Sequence, residues 1–249
     1  EISAQCCQFE EGDEVIIPAH TYTASAYPFL KKGANIVWAD IDSKTRVISA
    51  KNIEKHITKN TKAIVVVHLY GYGADMPSIM ALAAKKNILV IEDAAQALGV
   101  EIENQLAGTF GDFGIFSFHS HKNLTTLGEG GMLTVKENKF SNIIPMLRHN
   151  GHCEFDFEKE KYWKPTMSNV DMPELNGKFL FPNNYCLGEV ECALGSKLLK
   201  RLDQMNQDKR YRAIYFIDQL SEFKELIFHR VNSKRHNYHL LVAQITEGK

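Results

Sequence analysis

The chain of 249 residues carries 29 Lys and Arg against 30 Asp and Glu, a formal net charge of −1, with 44% hydrophobic residues. A chain of this length buries a sizeable core, as one large domain or one and a half, and with its charges nearly cancelling nothing argues for an electrostatic nucleic-acid or membrane-surface binder. The cysteines (Cys6, Cys7, Cys153, Cys186 and Cys192) are too few and too irregular for a disulfide framework; with no secretory leader and no apolar run long enough to span a bilayer, a reducing cytoplasm is the expected home.

Val15–Pro18 reads as a strand, and Thr21–Lys32 as a helical stretch stopped by Gly33. Asn35–Ile41 is the next strand, and Lys51–Ile57 carries a short helical pattern. Ala63–His68 is a continuous apolar run, as expected for a strand covered on both faces. Pro77 suits the first turn of a helix running through Ile79–Lys86, and Leu89–Ile91 begins another buried strand. A further short apolar run, Ile115, Phe116 and Phe118, suits a buried strand as well. Strands and helices alternating at this interval predict βαβ units, a largely parallel sheet, and crossover helices over its faces. Beyond Arg148 the texture changes, and residues 149–178 read as a long irregular loop with Tyr162, Trp163, Pro165 and Pro173, of the kind that is more often functional than idle. Glu189–Arg212 reads as one long amphipathic helix with Val190, Leu194, Leu198, Leu202 and Met205 on a stripe. The expected organisation is a large domain over 1–205 and part of a small α/β domain over 206–249, with Tyr238–Ile245 as a strand.

Two segments carry the chemistry. Asn87–Gly99 is a strand pattern ending in Glu92-Asp93, and an acid at the carboxyl end of a parallel strand points into the crevice where α/β sheets bind ligands. Lys122 leaves the next strand among Ser117, Ser120, Thr125 and Thr126, followed by Gly128, Gly130 and Gly131. Taken alone, Lys122 is a solvated loop lysine. Paired with Asp93, it supplies what pyridoxal phosphate (PLP) needs most: an amine to form a Schiff base with its aldehyde and a carboxylate for its pyridinium nitrogen.

The motifs D-A-A-Q-A-x-G, G-x-F-G-D-F-G-I-F-S-F-H and K-N-L-T-T-x-G-E-G-G closely resemble the DegT/DnrJ/EryC1/StrS family of sugar aminotransferases, from Gly12 through Leu202 and more weakly to the end. The resemblance implies the three-layer α/β/α PLP-transferase fold. It also implies a homodimer with shared active sites, transfer of an amino group from glutamate, and a nucleotide-linked keto sugar as acceptor. Lys122 and Asp93 take the catalytic places. Tyr22 falls where the family stacks an aromatic ring on the cofactor, although core packing is its ordinary explanation. Gln96 falls near the cofactor's phenolic oxygen, Ser117 at a phosphate-binding hydroxyl, and Asn184 at an asparagine that reaches the phosphate from the neighbouring subunit. Cys186 stands where the family usually has arginine. Upstream of Gly12 the family has a phosphate-binding region without counterpart in this sequence, so the chain reads as a fragment short at both ends.

Other family members are dehydratases in which histidine replaces the lysine; Lys122 argues against that branch. A non-catalytic regulatory protein that retains the pocket is the alternative of another class, and Asp93, Gln96 and Lys122 together weigh against it. Asp112-Phe113-Gly114 spells a kinase metal triplet without the accompanying kinase motifs, and Gly128–Gly131 lacks the lysine and hydroxyl of a P-loop. His119 and His121 alternate along a strand end, which predicts rings facing opposite ways. The remaining histidines have no zinc spacing, and no metal is expected.

Overall fold

The computed structural model describes residues 1–153, 169–231 and 233–246. Six strands make the central sheet: β1 (Glu14–Pro18), β2 (Asn35–Ala39), β3 (Thr61–Val67), β4 (Leu89–Asp93), β5 (Phe113–Ser117) and β6 (Gly131–Val135). Their spatial order is 2-1-3-4-5-6; the first five run parallel and β6 returns antiparallel to β5. The α/β class and the largely parallel sheet are those expected. The central strands read as apolar runs because both their faces are covered: Val15–Pro18 and Ala63–Val67 are buried throughout. Ile16, Ile17, Ile64, Ile91 and Phe113 are almost completely excluded from solvent. Each such side chain contributes roughly 1.5–3 kcal/mol relative to exposure.

The described α-helices are α1 (Ile2–Cys6), α2 (Tyr27–Lys31), α3 (Ala50–Glu54), α4 (Met76–Lys86), α5 (Ile143–Arg148), α6 (Glu189–Leu199) and α7 (Leu202–Gln219), and the one between β3 and β4 shows how local sequence sets an element. In α4 (Met76–Lys86), Asp75 caps the first turn by accepting from the Ser78 amide, and Pro77 sits where its missing N–H costs nothing. Lys85 and Lys86 occupy the last turn, and Asn87 ends the helix in the left-handed conformation at φ 56°. The helix between β2 and β3, α3 (Ala50–Glu54), is likewise capped by Ser49.

Several sequence expectations need correction. Thr21–Lys32 is not one helical stretch: a 3-10 turn at Thr23–Ser25 precedes α2 (Tyr27–Lys31). Pro28, at the second position of α2, cannot donate to a preceding helical turn. Glu189–Arg212 divides into α6 (Glu189–Leu199) and α7 (Leu202–Gln219), with a break at Lys200-Arg201. Leu202 is buried, whereas no residue of α6 is, and Val190 is 68% exposed. Of Tyr238–Ile245 only Ala243–Ile245 is a strand, paired antiparallel with Leu226–Phe228. The expected loop contains short antiparallel pairings, His152–Cys153 with Asn169–Val170 and Glu174–Leu175 with Lys178–Phe179. Tyr162, Trp163 and Pro165 lie outside the described residues.

Candidate active site

The strand order reverses at β1, which has β2 on one side and β3 on the other. In such sheets the crevice beyond the carboxyl ends of the strands is where a ligand fits. The segments leaving β1, β3 and β4 are tied together there by hydrogen bonds. His20 Nε2 lies 2.9 Å from Tyr70 Oη, Ser25 Oγ donates to Asp93 Oδ2 at 2.7 Å, and the His68 amide donates to the Asp93 carbonyl at 3.1 Å.

Asp93 ends β4 and is partly exposed. Its Oδ1 accepts from the Ala95 amide at 3.1 Å, so it caps the turn that follows, while Oδ2 takes the Ser25 hydroxyl. The cap and the Ser25 bond therefore use different oxygens of a carboxylate on a partly exposed residue. Thr21 Oγ1, 2.8 Å from Ser25 Oγ, extends the chain of hydroxyls. Sequence reasoning passed over Ser25; its signal was a hydroxyl just beyond T-Y-T in a loop leaving a strand.

Tyr22 is 74% exposed, which removes the core-packing explanation for it. It opens the 3-10 turn whose last residue, Ser25, holds Asp93, so an exposed ring and the carboxylate are set by the same turn. Gln96 accepts the Tyr70 amide at 2.5 Å through Oε1. Tyr70 adopts φ 59°, a strained backbone for a tyrosine, and the Gln96 bond is one of the contacts that hold it. Ser117 closes β5, and its Oγ accepts the His119 amide at 3.3 Å.

Lys122, partly exposed, lies in a tight excursion between β5 and β6. The Phe118 amide donates to Gly130 O (2.7 Å), the Ser120 amide to Gly128 O (2.8 Å), and the Lys122 amide to His119 O (2.9 Å). A Cβ on Gly130 would collide with Thr126 Oγ1, which explains the glycine there. The excursion is a turn rather than a strand end, which corrects the histidine expectation. The rings of His119 and His121 meet edge to face, 4.9 Å between centroids, and the His121 amide donates to His119 Nδ1. No group of three metal-ligating side chains exists among the described residues.

Asn184 is exposed, and its Oδ1 accepts the Cys186 amide at 3.3 Å. A bridge to His149 places it on the segment leading to α6. Beside it, Arg148 Nη1 lies 3.8 Å from Cys186 Sγ.

Behind Asp93, Glu92 is fully buried, and so is His68. Glu92 Oε2 takes His68 Nε2 at 3.0 Å and the Gly108 amide at 2.8 Å; Oε1 takes the Phe110 and Gly111 amides, each at 2.7 Å. His68 Nδ1 accepts from the Ala74 amide, so its proton sits on Nε2. Burial opposes ionisation of Glu92, but the His68 hydrogen bond, with the Gly111 and Gly108 amides, holds its pKa below the usual carboxylate value. The pair fixes the end of β4 from beneath the crevice. An acid inside an apolar strand was its sequence signal.

Against known proteins, the family model described as DegT/DnrJ/EryC1/StrS aminotransferase matches residues 1–249. GDP-perosamine synthase of Escherichia coli O157:H7 is 46% identical over 200 residues, covering 80% of this chain and 50% of that protein. L-glutamine:2-deoxy-scyllo-inosose aminotransferase of Streptomyces kanamyceticus is 36% identical over 212 residues, covering 85% and 48%. A solved structure from Bacillus subtilis, titled as NtdA with bound cofactor PMP, superposes with a TM-score of 0.80 at 26% identity, covering 98% of this chain and 52% of that one. The chain thus spans about half the length of these relatives.

Proposed function

The chain belongs to the DegT/DnrJ/EryC1/StrS aminotransferase family, and on that premise we propose that it is part of a PLP-dependent aminotransferase. In this reading an amino group passes from glutamate to a keto sugar carried on a nucleotide. The observation that carries the reading is Asp93 at the carboxyl end of one parallel strand and Lys122 a few residues past that of its neighbour, the two strands being paired in register at Asp93 and Ile115.

The residues present fit PLP. Among the described residues, Thr125 Oγ1 is a buried side-chain polar atom with no hydrogen-bond partner. It lies three residues beyond Lys122, where a bound polar group would satisfy it. Lys122 would hold the aldehyde, Asp93 the pyridine nitrogen, Gln96 the phenolic oxygen, Ser117 the phosphate, and Tyr22 the ring face. When bound, the cofactor supplies a covalent carrier for the amino group and a ring that draws electrons from the reacting carbon. With the cofactor held, Lys122 Nζ would be placed to accept the proton leaving the donor's α-carbon and to give it back on the opposite side of the transfer. Asp93, oriented by Ser25 and the Ala95 amide, would keep the ring nitrogen protonated. Tyr22, with its ring exposed, would cover the ring face and exclude water from it.

Asn184 belongs to the site of a second copy in this reading, which therefore needs a homodimer. Large apolar side chains left open nearby in sequence, Phe181, Tyr185 and Val190, support that surface. The Ala213, Ile217 and Tyr238 cluster, apart from the main core, supports a small domain beginning near residue 206.

The test is spectroscopic. The full-length protein with PLP should be yellow, bleached by glutamate, and recoloured by one of a panel of keto-sugar nucleotides; glutamine is the second donor to try, given the Streptomyces relative's name. A protein that takes up no PLP, or whose colour no amino donor changes, contradicts the reading.

A further inference from the structure

Three asparagines are buried among the described residues, Asn123, Asn206 and Asn237, and all three belong to one hydrogen-bond network. Asn123 directly follows Lys122. Its Oδ1 accepts from Lys209 Nζ at 2.7 Å and from His239 Nδ1 at 3.0 Å, and its Nδ2 donates to Asn206 Oδ1 at 3.3 Å. Asn206 Nδ2 donates to Leu98 O at 3.0 Å. Asn237 Nδ2 donates to Gln96 O and Leu98 O, and its Oδ1 accepts the His239 amide at 3.0 Å. The network therefore joins α7 and the 237–239 segment to the backbone of two residues proposed for the site, Lys122 and Gln96.

We propose that Asn123, with Lys209 as its charged donor, is a positioning residue for Lys122. This rests on the reading of Lys122 as the lysine that holds the cofactor. A carboxamide with both ends bonded inside a packed junction cannot rotate or shift without breaking bonds that water does not replace. The backbone it hangs from is the backbone of Lys122. A bond from an ammonium is stronger than one between neutral groups, and the Lys209 ammonium donates to the neutral Asn123 carboxamide. His239 presents Nδ1–H to the same oxygen and stays neutral: burial, then the charges of Lys122 and Lys209, push its pKa down to about 4. The geometry of the lysine turn thus depends on elements more than 80 residues further along the chain. A misplacement of about 1 Å at a reacting group costs on the order of 100-fold in rate, so this attachment bears on catalysis without touching the reacting atoms.

The experiment compares Asn123→Ala, Lys209→Met and their double variant in the full-length protein. Arg210→Met is the control: Arg210, the next residue of α7, donates instead to His236 O at 3.2 and 3.3 Å. Without cofactor, amide hydrogen exchange over residues 120–126 should quicken about tenfold in Asn123→Ala and Lys209→Met, a factor that corresponds to about 1.4 kcal/mol. It should quicken no further in the double variant and stay unchanged in Arg210→Met. At saturating PLP, borohydride fixation on Lys122 should slow by about the same factor in the first three. Unchanged exchange in Lys209→Met, or an equal rise in Arg210→Met, overturns the proposal. Lys209→Met keeps the aliphatic stem, so it carries the test alone if Asn123→Ala does not fold. Wild-type protein that fixes no PLP would instead contradict the proposed function, and the exchange result would still decide the network.

Discussion

Replacing Glu92 by glutamine changes one oxygen to an NH2 group and almost nothing in volume, so the cost follows from hydrogen bonds alone. Oε1 faces two backbone N–H donors, Phe110 and Gly111, and Oε2 faces the Gly108 amide and His68 Nε2. If the new NH2 takes the Oε1 place, both Phe110 and Gly111 lose their acceptor. In the Oε2 place it strands Gly108, and His68 can accept from it only by moving its proton to Nδ1, which strands the Ala74 amide. Either way two buried donors are unsatisfied at about 1–3 kcal/mol each, so we expect Glu92→Gln to lose about 3–4 kcal/mol of stability. Urea unfolding at pH 7, followed by far-UV circular dichroism with an unchanged denaturant slope, measures it. A loss under about 1 kcal/mol would refute the reasoning, because it would mean that the carboxylate is not the acceptor of these bonds.

Asp93→Asn should still bind PLP yet slow its half-reaction with glutamate by two decades or more: the ion pair at ~3 Å and an effective dielectric of about 20 is worth on the order of 5 kcal/mol, of which a ~3 kcal/mol surplus in the transition state suffices. Near-normal stopped-flow spectra would count against the role. Gly71→Ala should destabilise the fold by about 2 kcal/mol or more, since Gly71 holds φ +87° and a Cβ there would collide with Asn237 Oδ1; a wild-type melting temperature would contradict this. Burial, then His229 and Arg210, push His236 down to about 3, and burial with Lys122 and Lys209 pushes His239 to about 4, both below the unfolded value of 6.5. The unfolded chain therefore binds more protons between about pH 4 and 6.5, so the urea midpoint should fall as pH is lowered from 7 to 5; a flat profile would disprove the assignment. Lys122→Ala and Asn184→Trp, each poorly active alone, should regain activity when refolded together if the sites are shared between subunits, and mass-verified heterodimers without recovery would refute the sharing.

The sheet was legible because its central strands are buried on both faces, leaving apolar runs such as Ala63–Val67 with no periodic ambiguity. The place of Asp93 at the end of β4 was legible in its strand pattern, whereas Lys122 alone reads as a solvated loop lysine and becomes a candidate only beside Asp93. The break at Lys200-Arg201 was not: neither residue is a helix breaker, and the heptad-like stripe continues across it. Antiparallel β6 escaped as well, since its residues are half exposed and begin with glycine. Ser25, His68 and the asparagine network depend on partners distant in sequence, and no local pattern marks a hydrogen bond between Asn123 and Lys209.

The most direct measurement is borohydride reduction of the full-length protein with PLP, followed by proteolysis and mass mapping of the pyridoxyl group. The account predicts a single adduct on Lys122, abolished by Lys122→Ala. An adduct on another lysine, or none in wild-type protein, would contradict it.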